Sequence, residues 1–224
     1  MDGFDGRKKK KKNEVIADNT LIKFLTKFGH VIMLNIAWFI CCIPVVTIGS
    51  ATTSLYYAMI KNVRRDRGYP MVEFFTSFKR TIFSGSAITL VAGAWIFMLY
   101  HLKVIAKDIS GDMGIFMDGM YTALMIVTAG ILVYLFPVLS RFVMKTTAMA
   151  KLSFVMAIRF LPYTVLILVA AAIMAWLIFY HLPLPTVLFI PGVMCYASTY
   201  LIEPVMKKYM PKPKEDEEDA WYYQ

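Results

Sequence analysis

Residues 28–60, FGHVIMLNIAWFICCIPVVTIGSATTSLYYAMI, contain no Asp, Glu, Lys or Arg and lie between Lys27 and Lys61. A helix needs about 20 apolar residues to cross a bilayer. Thirty-three residues are therefore long for one crossing and short for two. Pro44 and Gly49 punctuate the middle. Proline removes a backbone donor and glycine tolerates a turn. The expectation is two helices meeting near 44–49, the first beginning about Asn19 and the second running past Lys61. A re-entrant loop, its irregular backbone buried by protein, is the other reading of the same stretch.

Three further stretches, 81–102, 119–140 and 160–202, also lack charged residues. Overall 58% of the chain is hydrophobic and 17% charged, yet the formal net charge is +9. A soluble helical protein shows apolar stripes at helical spacing; here the apolar segments are unbroken. The expected fold is all-α, a polytopic transmembrane bundle of about six helices, or four plus a re-entrant hairpin. The expected organisation is a basic tail (1–18), a membrane domain (19–208) and a disordered charged tail (209–224). The first apolar segment lacks a small-residue cleavage site and is expected to be retained.

Charge sets the orientation. The segment 61–80 carries Lys61, Arg64, Arg65, Arg67, Lys79 and Arg80, and the segment 141–159 carries Arg141, Lys145, Lys151 and Arg159 without an acid. The segment 101–118 offers Lys103 and Lys107 against three aspartates, and the connection at 181–185 has no charge. Positive loops stay in the cytosol, so both termini are expected there too. Pro70 is expected to start a short cytosolic helix through Arg80. Phe74, Phe75 and Phe78 would lie on one face of it, in the headgroup plane. Residues 141–160 read either as a similar surface helix or as the extension of two membrane helices. Gly85, Thr89 and Gly93, and again Ala171 and Ala175, have the spacing of close helix packing.

No constellation for catalysis emerges. His30, His101 and His181 stand at expected membrane boundaries without acids or cysteines at ligand spacing. The chain has no phosphate-binding loop, nucleophile elbow or zinc-protease motif. Cys41, Cys42 and Cys195 sit within apolar runs and read as small hydrophobes. Neither metal nor cofactor is expected, nor a nucleic-acid partner. What remains polar within the apolar segments is a hydroxyl cluster. Thr47, Gly49, Ser50, Thr52, Thr53 and Tyr56 are the candidate ligand contacts, because helix breaks in a membrane can expose half-helix ends to a solute. The competing reading is that these hydroxyls satisfy backbone groups freed by Pro44 and Gly49. The candidate surface for a partner, or for anionic headgroups, is Arg64, Arg65, Arg67, Lys79, Arg80, Arg141 and Lys145.

The run Leu34-Asn35-Ile36-Ala37-Trp38, then Pro44-Val45-Val46-Thr47-Ile48-Gly49-Ser50-Ala51-Thr52 and Leu55-Tyr56-Tyr57, resembles the YesL-like family. Asn62-Val63-Arg64, Phe74-Phe75-x-x-Phe78-Lys79, Phe136-Pro137-x-Leu139-x-Arg141-Phe142 and Ile158-Arg159-x-Leu161-Pro162 continue the pattern. The resemblance implies a bacterial, multi-pass protein of the cytoplasmic membrane whose biochemical role is undefined. It also implies an accessory or regulatory part in carbohydrate uptake, with an ABC importer's subunits or a sensor kinase as partners. The alternative function is a small-solute permease or channel acting as a homo-oligomer, its path lined by residues 47–57.

Overall fold

The computed structural model describes residues 22, 25–65, 67–109, 111–142, 144–180 and 190–209. Among them every element is helical and no strand occurs. Helix α1 covers Leu25–Cys42. A short 3-10 turn, Val45–Thr47, leads into α2, Ile48–Ala58, which widens into a π turn, Met59–Arg64. Then come α3 (Pro70–Asp108), α4 (Asp112–Arg141), α5 (Thr146–Arg159), α6 (Leu161–Tyr180) and α7 (Ile190–Lys207). The expected tails fall outside the described residues, apart from Tyr209, and so does His181.

The break between α1 and α2 is local chemistry. Pro44 adopts extended backbone, φ −76° and ψ 108°. The Thr47 hydroxyl donates to the carbonyls of Cys41 (2.5 Å) and Pro44 (2.6 Å), satisfying acceptors that the broken helix leaves open. Across the break the Trp38 indole donates to the Thr52 hydroxyl at 3.2 Å. Val31, Leu34 and Ala37 of α1 share one buried cluster with Leu55 and Ala58 of α2, Met59 of the π turn and Phe74 of α3. The two helices therefore fold back on one another as a hairpin.

Helix α2 lies against α3 at backbone distance. A Cβ added at Gly49 would stand 2.7 Å from the Gly85 carbonyl oxygen, and one at Gly85 would stand 2.8 Å from Ser50 Cα. Small residues permit this approach, and dispersion and hydrogen bonding then hold the pair. The expected stripe is only partly used: an added Cβ at Gly93 would meet nothing within 4 Å. Ala171 and Ala175 are exposed on α6 among the described residues.

Two expectations about the loops are corrected. Pro70 does start a helix, but residues 71–80 are the first turns of the 39-residue α3 and not a separate element. Nothing in FKRTIF breaks a helix, so Phe78 leads straight on to Phe83. Phe74 is fully buried, not resting in a headgroup layer. After α4, the chain does not extend straight onward: α5 meets α6 at a bend of 94°. Buried Met149, Ser153, Met156 and Ala157 form one stripe along α5 at helical spacing, and that stripe packs on Leu135, Val138 and Leu139 of α4.

Helices α1, α3 and α4 are long and apolar enough to cross a membrane, and the bent α5–α6 pair makes a fourth candidate. Large apolar side chains stand outward along them, Phe83 at 88% and Ile115 at 76% exposure. Such surface is a liability in water and ordinary in lipid, where side chains outside a bundle face acyl chains. One end of the bundle gathers the end of α2, the start of α3, the end of α4, all of α5 and the end of α7. It is the basic end.

Candidate functional site

The sequence-level candidates separate into two groups in space. The hydroxyls of the first group are engaged in holding α2. The Ser50 hydroxyl reaches the carbonyls of Thr81 and Ile82, both at 3.1 Å, on α3. Thr53 donates to the Gly49 carbonyl at 2.8 Å and Ser54 to that of Ser50 at 2.7 Å, the back-bonding usual for buried hydroxyls in helices. The Gly49 N–H, in the first turn of α2, donates to Thr89 Oγ1 at 2.9 Å, and Thr89 in turn donates to the Gly85 carbonyl at 2.8 Å. An orphan donor of a helix start is thus satisfied by a neighbouring helix.

Thr52 and Tyr56 differ from the rest. Both line a chamber of about 380 Å³ between α1, α2, α4, α6 and α7. Its walls are apolar apart from these two and Ser198, with Trp38, Phe136, Ile167 and Met194 among them. The Tyr56 hydroxyl points at Met206 Sδ, 3.7 Å away. The chamber thus offers a long apolar surface and few polar handles.

The second group forms a charge cluster at the basic end. Glu203, 1% exposed, sits in the last turns of α7. Its carboxylate accepts from Arg141 of α4 at 3.0 and 3.1 Å, and from Arg65 beyond α2 at 2.7 Å. The Arg141 side chain is 2% exposed and the Arg65 side chain 11%. Beside them Arg64 donates to the Thr199 carbonyl at 2.7 Å and lies 4.6 Å over the Tyr200 ring. Burial pulls the Arg65 guanidinium below its ordinary pKa; the Glu203 carboxylate opposes that pull, and neighbouring Arg141 adds to it. A buried carboxylate needs charge-assisted partners, and the π turn ending α2 brings two successive arginines onto α7.

The remaining basic candidates are placed differently. Arg80 donates to the Ser140 carbonyl at 3.3 Å and stands over the Tyr57 ring at 5.4 Å. Arg67 is half-buried in the α2–α3 connection, while Lys79 and Lys145 are exposed. Glu203 belongs to neither of the two candidate sets that the sequence offers. The available signal was its isolation: it ends a charge-free run, 160–202, and is the one acid from there to the tail.

A family model described as "Protein of unknown function, DUF624" matches residues 31–101. The match takes in the hydroxyl cluster, Arg64, Arg65, Arg67, Lys79 and Arg80, and leaves Arg141 and Glu203 outside it. No curated protein and no solved structure matches the chain. Among the described residues no group of three or more His, Cys, Asp or Glu side chains could hold a metal ion.

Proposed function

We propose that the chain is a non-enzymatic, multi-pass protein of a bacterial cytoplasmic membrane, acting as an accessory or regulatory component of carbohydrate uptake by an ABC importer. The observation that carries this reading is how the polar groups are used. The Thr47, Ser50, Thr53 and Ser54 hydroxyls are engaged in holding α2, leaving only Thr52 and Tyr56 of that stretch on the chamber wall, whereas Lys79 and Lys145 stand exposed at the basic end. Exposed positive charge suits a partner's acidic surface or an anionic leaflet. The YesL-like resemblance adds the carbohydrate context.

In this reading α1, α2 with its π turn, α3, α4, α6 and α7 make six passages. The α5 helix lies at the cytosolic interface, with Lys151 and Arg159 on its outward side, and both termini are cytosolic. The Arg65–Glu203–Arg141 cluster then sits at the cytosolic boundary, where basic residues belong by the positive-inside rule.

The experiment is purification of the tagged protein in mild detergent from its native host, with co-purifying proteins quantified by mass spectrometry. Stoichiometric recovery of an importer subunit or a sensor kinase, lost on Lys79→Glu with Lys145→Glu, is the expected result. A discrete homo-oligomer alone, showing solute flux in liposomes that Thr52→Val with Thr53→Val abolishes, would replace this reading with the permease.

A further inference from the structure

The apolar chamber opens a question that the partner surface does not answer, namely what fills it. In a bilayer the medium around the helices is acyl chain, and a cavity with these walls has the chemistry of that medium. The chamber's lining on α6 and α7 includes Ile167, Leu168, Ser198 and Ile202. Toward the basic end, the same pair of helices is flanked by Arg159, which ends α5 two residues before α6 begins, and Lys208, which follows α7.

Both cations are exposed, and each meets an aromatic residue that neighbours the other in sequence. Lys208 Nζ stands 5.2 Å over the Phe160 ring, and Arg159 donates to the Tyr209 hydroxyl at 3.4 Å. Glu203, the described carboxylate closest in sequence to Lys208, is held by Arg65 and Arg141 and offers them no counter-charge. Lys208 follows Ile202 by six residues, roughly 9 Å along a helix. A headgroup layer is about 5–8 Å deep on each side of the hydrocarbon. Along the α7 axis Lys208 therefore lies at the depth of a lipid phosphate whose acyl chain begins at Ile202, and Arg159 is tied to the same end through Tyr209.

We infer that the α6–α7 cleft is a specific site for one anionic phospholipid, its phosphate between Arg159 and Lys208 and one acyl chain in the chamber beside Trp38. The site needs both halves: the cations select the headgroup, and the chamber distinguishes a bound lipid from one merely drawn to a basic surface. Two cations at a membrane surface favour an anionic lipid by on the order of tenfold over a zwitterionic one.

Trp38 supplies the readout, since its indole lines the chamber. A protein carrying Trp95→Phe, Trp176→Phe and Trp221→Phe reports from Trp38 alone. It is reconstituted in phosphatidylcholine vesicles containing either phosphatidylglycerol or phosphatidylcholine with brominated acyl chains, which quench nearby indoles. Brominated phosphatidylglycerol is expected to quench at on the order of tenfold lower mole fraction. Arg159→Glu with Lys208→Glu is expected to abolish that preference, and Ala129→Phe, which fills the chamber and leaves the cations intact, to reduce quenching by both lipids. Equal quenching by the two lipids, a preference that survives the double reversal, or quenching unchanged by Ala129→Phe would each overturn the assignment.

Discussion

Arg141, at the last turn of α4, donates from one terminal nitrogen to both oxygens of Glu203, near the end of α7, at 3.0 and 3.1 Å, and both side chains are 2% exposed. Sixty-two residues of chain separate them. Together with Arg65 they join α2, α4 and α7 at one end of the bundle. A buried ion pair adds little over well-packed apolar groups, because desolvation offsets attraction, but removing one partner strands the other.

Glu203→Gln is accordingly expected to destabilise the protein by about 3–5 kcal/mol, since two buried guanidiniums lose their carboxylate. Arg141→Leu combined with Glu203→Leu is expected to cost less than the two single changes summed. Denaturation in mixed detergent micelles, followed by helical circular dichroism, measures Glu203→Gln, the double change and its two singles. Additive losses would mean that the two side chains do not interact.

The α2–α3 crossing predicts an asymmetry between two glycines on one helix. Gly85→Ala pushes a methyl group into the Ser50 backbone and is expected to cost about 1–3 kcal/mol. Gly93→Ala enters open space and is expected to be neutral or slightly stabilising, since alanine is the better helix former. Thermal unfolding of the two variants side by side decides the point; equal losses would place the crossing elsewhere.

Thr47→Val removes the hydroxyl that serves the Cys41 and Pro44 carbonyls, and about 1 kcal/mol is expected to go with it. Thr47→Ser keeps the donor and is expected to restore most of the loss. Thermal unfolding tests the pair. A valine variant as stable as the parent would show that the break needs no hydroxyl.

Away from the basic end, where α3 hands over to α4, Lys103 pairs with Asp118 at 3.8 Å, both side chains partly exposed, while its ammonium donates to the Thr122 hydroxyl at 2.6 Å. Exposed pairs are worth roughly 0–1 kcal/mol. Asp118→Asn is therefore expected to change the unfolding midpoint little, and less still in high salt. A large, salt-insensitive loss would mean that this pair is buried in the assembled protein.

Composition alone made the all-helical, apolar character legible, because a bilayer-length segment without charge has few other uses. Pro44 marked the helix break in the same way, through a missing donor that no context restores. The loops were less legible. Residues 71–80 look amphipathic on their own, yet they are continuous with α3, since helix ends depend on what breaks a helix and nothing there does. The right angle between α5 and α6 was not written locally either: it depends on Met149 and Met156 finding α4.

The candidate site divides along the same line. By itself the sequence determined which segments are apolar, where the chain must turn and which loops are basic, since each follows from residue type and near neighbours. It could not say which polar groups are already engaged. Ser50 is bound by Thr81 and Ile82, and Arg65 by Glu203, through chain separations of 31, 32 and 138 residues. Only the tertiary structure decided those pairings, because they depend on which helix faces meet, and hydrogen bonds between distant residues leave no periodicity in the chain.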